Sequence, residues 1–131
     1  MLRDSEMRRE LAGASLGELE VTGSGRGRRR FRFTADFPGF SGHFPGHPVL
    51  PAMLQILLGI MVCEDLAGSA LVLTGVERAK FVSQVQPFQE ITVSCRLKSG
   101  KESVSARVDL EVKGGRAASM RLLLEPQPTG F

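Results

Sequence analysis

The chain contains neither tryptophan nor tyrosine, so chemistry that needs a phenol is excluded, and any aromatic platform for stacking bases must be built from phenylalanine alone. Five of its eight phenylalanines, Phe31, Phe33, Phe37, Phe40 and Phe44, fall in one short stretch. Only two cysteines are present, Cys63 and Cys95, in apolar surroundings. They fit small buried hydrophobes in a reducing cytosol better than a disulfide framework. No apolar run reaches the roughly 20 residues needed to cross a bilayer. The longest, Val49 to Cys63, is interrupted by Pro51 and Gln55. The opening segment MLRDSEMRRELAG alternates charges where a secretion signal has an apolar core, and reads as a short helix or frayed arm. A cytoplasmic protein with no membrane span is the expectation.

At 131 residues the chain has room for one domain, and none for separate cofactor and substrate domains. We expect that domain to span 1–131, with an arm and loop over 1–27, a core over 28–124 and a tail over 125–131. Charge is nearly balanced, 17 Lys plus Arg against 14 Asp plus Glu, a net +3. The imbalance is local. Arg26, Arg28, Arg29, Arg30 and Arg32 sit in a window without acids, and the remaining residues sum to −2. The neighbouring Gly23-Ser24-Gly25-Arg26-Gly27 lacks the Gly-Lys-Ser/Thr ending and βαβ context of a phosphate loop.

Periodicity divides the chain into three zones. After a Leu16 to Val21 segment and a Gly/Arg-rich loop, Arg28 to Thr34 alternates as a half-buried strand does. Ala35 to Pro51 is rich in proline, glycine and serine, and is read as irregular but specified backbone. Pro51 then suits the first position of a helix, AMLQILLGIMVCEDLAG is apolar on nearly every face, and Gly68 suits its stop. A helix apolar all round is expected to be buried all round. Beyond it the period becomes two: Leu71 to Val82, Ile91 to Lys98, Ser103 to Lys113 and Arg116 to Leu124 read as strands, the last three joined by joints short enough for an antiparallel meander. The fold class is therefore α+β, a long central helix wrapped by a curved antiparallel sheet.

Both histidines, His43 and His47, lie within five residues, immediately before that helix. Neutral imidazole can accept a proton near physiological pH, and the helix start presents backbone N–H groups able to polarise a carbonyl oxygen. Taken alone, His43 also fits a turn histidine bonded to neighbouring backbone. Zinc ligation by His43, His47, Cys63 and Cys95 is disfavoured, because His43 to His47 crosses Pro45 and cannot be a helical histidine pair.

Gly42-His43-Phe44-Pro45, then Pro48-Val49-Leu50-Pro51 running into the helix, and downstream Val76-Glu77-Arg78-Ala79-Lys80-Phe81 with Val85 and Pro87, closely resemble the signatures of the hotdog-fold 3-hydroxyacyl-ACP dehydratases. The resemblance spans about Phe31 to Leu124. Gln55 is similar to the subgroup associated with aryl-polyene and related lipid pathways. The resemblance implies a hotdog fold that pairs as a dimer, with joined sheets, active sites between subunits and an acyl tunnel along the helix. It gives His43 the role of catalytic histidine, acting on the Cα proton of a 3-hydroxyacyl thioester. It gives the Ala52 N–H the role of polarising the thioester carbonyl, Ala52 standing where the family usually has glycine. Phe44, Pro51 and Leu57 fall at its substrate-binding positions, and His47 at a surface or substrate-entrance position. No metal and no cofactor are implied. The acyl group is carried on the phosphopantetheine of acyl carrier protein or on CoA.

Leu57 departs from the pattern: it occupies the position of the family's helix Glu or Asp. A leucine cannot protonate a departing hydroxyl, and a positioned general acid is worth about 10²–10⁴ in rate. Glu64 lies seven residues on, about 700° of helical rotation but roughly 10 Å further along the axis, so it is not expected to substitute. Two functions therefore stand: a dehydratase-like enzyme of fatty-acid or related lipid and polyene biosynthesis, impaired by Leu57, or a non-catalytic subunit that binds acyl thioesters or acyl carrier protein. The arginine run admits a solvated strand edge, attraction of an acidic carrier by Arg28, Arg29 and Arg30, or nucleic-acid binding. The last has a weak footprint, without interleaved stacking residues. A homodimer or higher oligomer that binds no nucleic acid is the expectation.

Overall fold

The computed structural model describes residues 4–40, 46 and 48–128. Helix α1 covers Asp4–Gly13 and helix α2 Ala52–Ala67. The strands are β1 (Glu20–Gly23), β2 (Arg26–Arg32), β3 (Leu71–Phe81), β4 (Glu90–Ser99), β5 (Val104–Val112) and β6 (Gly115–Pro126), and Pro38–Phe40 forms a 3₁₀ turn. They make one antiparallel sheet in the order β1-β2-β4-β5-β6-β3.

Helix α2 starts and stops where its sequence dictates. Pro51 precedes it in extended conformation (φ −62°, ψ 152°), and Gly68 ends it in the left-handed region at φ 73°, donating its N–H to the Glu64 carbonyl at 2.8 Å. The helix crosses the sheet on the face formed by Val93, Cys95, Val108, Leu110, Met120, Leu122 and Leu124, all buried. Gly59 permits the approach: a Cβ there would lie 3.1 Å from Val108 and 3.4 Å from Leu122. Each fully buried Leu, Ile or Phe in this core contributes about 1.5–3 kcal/mol of transfer free energy. The Cys63 and Cys95 sulfurs meet at 2.9 Å as free thiols, joining α2 to β4. Their mutual hydrogen bond, and then burial, raise the Cys63 thiol pKa far above its ordinary value, so Cys63 acts as a buried hydrophobe and not as a nucleophile.

The meander β4-β5-β6 is as the spacing predicts. Four expectations are corrected. First, α2 is not buried all round: Met53 is 71 % exposed, and Ile56, Leu57 and Met61 are half-buried, leaving an apolar stripe that one copy of this sheet does not cover. Second, the arginine run does not sit at a strand edge, because β1 hydrogen-bonds outside β2. Third, the opening segment forms the short helix that was one of its two expected states, and the loop expected up to residue 27 holds strands. Residues 4–27 supply α1, whose Leu11 is fully buried, as well as β1 and the first residues of β2. Fourth, β6 continues to Pro126, past the core boundary expected at Leu124.

Candidate functional site

The segment expected to carry chemistry leaves the sheet after β2 and re-enters the fold at α2. Phe33, Phe37 and Phe40 make a buried aromatic cluster, with centroids 4.4 Å apart for Phe33 and Phe37, 5.4 Å for Phe37 and Phe40, and 6.4 Å for Phe33 and Phe40. The two contacts of Phe40 are edge-on, an arrangement worth about 0.5–1.5 kcal/mol beyond area burial. Within the turn, a Cβ on Gly39 would fall 2.2 Å from the Phe37 ring and 2.5 Å from Leu54. Only glycine lets this backbone lie flat against the first turn of α2. His43, Phe44 and His47 lie outside the described residues.

On the other flank, the Leu50 N–H donates to the Val85 carbonyl at 2.7 Å, and the Gln55 side-chain amide donates to the Leu50 carbonyl at 3.0 Å. Leu50 and Pro51 are thereby clamped between the β3–β4 connection and the helix. Gln55 is 4 % exposed, and its Oε1 has no hydrogen-bond partner among the described residues. A buried acceptor left unpaired costs about 1–3 kcal/mol, so the site begins with a polar atom that calls for a donor.

Pro51 offers α2 no side-chain cap, and the first helical bonds run from the Leu54 and Gln55 N–H groups to the Pro51 carbonyl at 3.0 and 3.1 Å. The Ala52 and Met53 N–H groups precede them, and both residues are exposed. Donors at the positive end of a 16-residue helix suit an oxygen on which negative charge develops. Leu57 lies one turn further, half-buried on the same open stripe as Met53 and Met61.

Glu64 is already engaged. Its Oε1 accepts from Arg8 of α1 at 2.6 Å, and its Oε2 accepts from the Leu71 N–H, the first of β3, at 3.0 Å. It ties three elements together and is unavailable as a general acid. Glu64→Gln is expected to lower thermal stability by about 1–2 kcal/mol, the value of a hydrogen-bonded, partly buried ion pair, while leaving turnover within about threefold. Melting curves beside steady-state rates check this, and a hundredfold loss of rate would make Glu64 the acid after all.

The carrier-binding candidates differ among themselves. Arg28 is committed to Glu20 through two bonds of 2.9 and 3.2 Å, which hold the Glu20 carboxyl below its ordinary pKa. Arg29 donates to Asp65 at 2.5 Å and to Ser15 and Gly17 at 3.0 and 3.2 Å, with its guanidinium over the Phe31 ring at 5.5 Å. It fastens the α1–β1 linker to the end of α2. Arg30 is exposed, with no ion pair among the described residues. Sequence reasoning did not find the roles of Glu64 and Arg29. Their partners lie 56 and 36 positions away, and no local spacing signals such a pair.

Residues 22–121 match the ApeI-like family, described as ApeI dehydratase. Among curated proteins, the chain is similar to the 3-hydroxyacyl-acyl-carrier-protein dehydratases FabZ of Fusobacterium nucleatum and Ruminiclostridium cellulolyticum. The first is 37 % identical over 67 residues, 47 % of this chain and 46 % of the relative. The second is 33 % identical over 93 residues, 65 % and 66 %. The chain thus spans about half to two thirds of the length of these relatives. Among solved structures, it is similar to the dehydratase heterocomplex ApeI:P from Xenorhabdus doucetiae, with TM-score 0.71 and 21 % identity over 85 % of this chain and 96 % of that one. It is also similar to a hypothetical thioesterase protein from Streptococcus pneumoniae with coenzyme A, with TM-score 0.70 and 9 % identity over 98 % and 100 %. The fold is the hotdog fold that the sequence resemblance implied. With 100 of its 131 residues inside the family match, the chain belongs to the ApeI-like dehydratases.

Proposed function

We propose that the chain is a 3-hydroxyacyl thioester dehydratase whose own helix lacks the general acid. The observation that carries this reading is the uncapped start of α2, with the exposed Ala52 at its first position after the His43 segment, in a chain of the ApeI-like family. His43 takes the Cα proton. The Ala52 N–H holds the thioester carbonyl oxygen as enolate charge grows on it. The C3–O bond then breaks, Cα and C3 become doubly bonded, and hydroxide leaves as water once it is protonated. With Leu57 on the helix, that proton must return from the His43 imidazolium.

Phe44, Pro51 and Leu57 line the acyl site in this reading. Acyl carrier protein or CoA delivers the substrate on phosphopantetheine, as the names of the FabZ relatives and the coenzyme A of the S. pneumoniae neighbour support. No resident cofactor is needed, and the setting is cytoplasmic. No helix among the described residues is long and apolar enough to cross a membrane. The working unit is a homodimer. Strand β3 leaves one edge unpaired among the described residues, Val72, Val76 and Phe81 along it are exposed, and the Met53, Leu57 and Met61 stripe of α2 is open. A long apolar edge strand is a template for pairing with another chain.

The test is formation of the enoyl thioester from a 3-hydroxyacyl-CoA or 3-hydroxyacyl-pantetheine by purified protein, expected to be slow and abolished by His43→Ala. Product formation that survives His43→Ala would overturn the assignment.

The second reading, a non-catalytic subunit that binds acyl thioesters or carrier protein, is favoured by Leu57 itself and by the engagement of Glu64. The X. doucetiae neighbour is a dehydratase heterocomplex, which supports an acid supplied by a different subunit. Inertness alone, with activity on mixing with an acid-bearing paralogue, would select this reading.

A further inference from the structure

A line of like charge lies on the opposite face of the sheet from α2. Register places Arg26 of β2 opposite Arg96 of β4, Arg96 opposite Arg107 of β5, and Arg107 opposite Arg121 of β6. All four are exposed. With neighbouring strands about 4.8 Å apart, they form one rung line about 15 Å long across four strands. Like charges directly opposite each other destabilise a sheet, and here three successive cross-strand pairs are alike. Compensation is thin. Arg107 reaches Asp109 at 3.4 Å and Arg121 reaches Glu77 at 3.5 Å, whereas Arg26 and Arg96 have no ion pair among the described residues. The groove around the line, about 960 Å³, also takes in Lys80 and Lys98, and no acidic side chain lines it among the described residues.

We propose that this face docks an acidic helix of a partner protein, laid across the strands along the Arg26, Arg96, Arg107 and Arg121 line. The inference goes beyond the dehydratase reading and does not depend on it. Helix residues three or four apart stand about 5–6 Å from one another, so Asp or Glu at successive turns matches the rung spacing. About ten helical residues cover 15 Å. Guanidinium forks suit carboxylate partners bidentately. Other occupants fit less well. Among the described residues the groove lining holds no aromatic side chain on which bases could stack, and a second copy presenting the same face would be repelled.

The experiment is an anisotropy titration of the full chain at low ionic strength with a labelled alanine-based peptide of about 16 residues, carrying glutamate at i, i+4, i+8 and i+12. A permuted peptide with the same glutamates spread around the helix is the comparison. The one-faced helix is expected to bind at least about tenfold tighter than the permuted one. Arg96→Gln with Arg107→Gln is expected to weaken it at least about tenfold, since it removes two of the four guanidinium groups that face the peptide. The same variant should melt no lower than the parent, because it relieves repulsion. Lys101→Gln with Lys113→Gln, at the exposed hairpin turns, should change binding less than about threefold. Absence of binding, equal binding of both peptides, indifference to the Arg96/Arg107 variant, or tighter binding of oligo-dT or phosphatidylserine vesicles would each overturn the proposal.

Discussion

Leu57→Glu is expected to raise the dehydration rate of a 3-hydroxyacyl thioester by about 10²-fold or more, the usual contribution of a positioned general acid. The position can accept the change. Leu57 is half-buried on the uncovered stripe of α2 and not inside the closed core, so the substitution costs roughly 1 kcal/mol and leaves the fold intact. In the proposed homodimer the partner subunit covers this stripe, so a carboxyl flanked by Met53 and Met61 is desolvated there, which raises its pKa and keeps it protonated, as an acid requires. Its contribution is present at pH values below that raised pKa and is lost as pH rises through it. The gained activity should therefore show an alkaline limb absent from the parent. Leu57→Gln has the shape of the glutamate without its proton and should stay at the parental rate. Steady-state kinetics of the three proteins across pH decide the matter. No gain with glutamate, beside a parent already turning over through His43, would mean that the proton reaches the leaving hydroxyl by another route.

Gly39→Ala is the second large effect. Its methyl group would have to occupy space 2.2 Å from the Phe37 ring and 2.5 Å from Leu54, so the Phe37 ring, packed between Phe33 and Phe40, must shift together with the Leu54 side chain. Overpacking of this kind costs about 1–3 kcal/mol and sometimes more. In a chain of this length that is a fall in Tm of roughly 3–12 °C. The damage should also reach function, because the displaced turn leads straight into the His43 segment. Calorimetry and the dehydration assay together check this, and a variant with unchanged Tm would show that the turn does not seat on α2 as described. A serine at Gly46, where an added Cβ meets nothing within 4 Å among the described residues, tests backbone conformation in the same region, since its φ is 86°.

The boundaries of α2 were legible because proline and glycine mark them through their own φ angles. The β4-β5-β6 meander was legible because Ile91, Val93 and Cys95, and then Ala106, Val108 and Leu110, all buried on the helix side, alternate with more exposed residues on the other side. Strand β1 was not, since all four of its residues are exposed and carry no alternation. The open stripe on α2 escaped for the opposite reason: a helix apolar on every face does not reveal which face its own sheet reaches. The His43 segment announced itself by composition, but Glu64 and Arg29 earn their roles from partners far along the chain. The arginine line is the extreme case. Its members are scattered from position 26 to position 121, and only strand register brings them together.

Strand β3 does not keep step with β6. Leu73 pairs with Leu124 but Gly75 with Leu123, and Glu77 pairs with Arg121 but Lys80 with Ser119, so β3 has one extra residue at each of two places. Each insertion reverses which side of the sheet the following residues face, and the second undoes the first. Only the short interval from Gly75 to Glu77 is inverted. Arg78, at φ 52°, absorbs the second reversal. The inversion turns Glu77 outward against Arg121, where an uninterrupted strand would have aimed its carboxylate toward the helix. The return keeps Lys80 with the cations, level with Ser119, and sets the still exposed Phe81 on the helix side of the sheet, opposite the buried Ala118. One strand thus serves an apolar interior and a charged exterior by changing phase twice, and loss of a single residue between Glu77 and Lys80 would exchange the two faces at its tip.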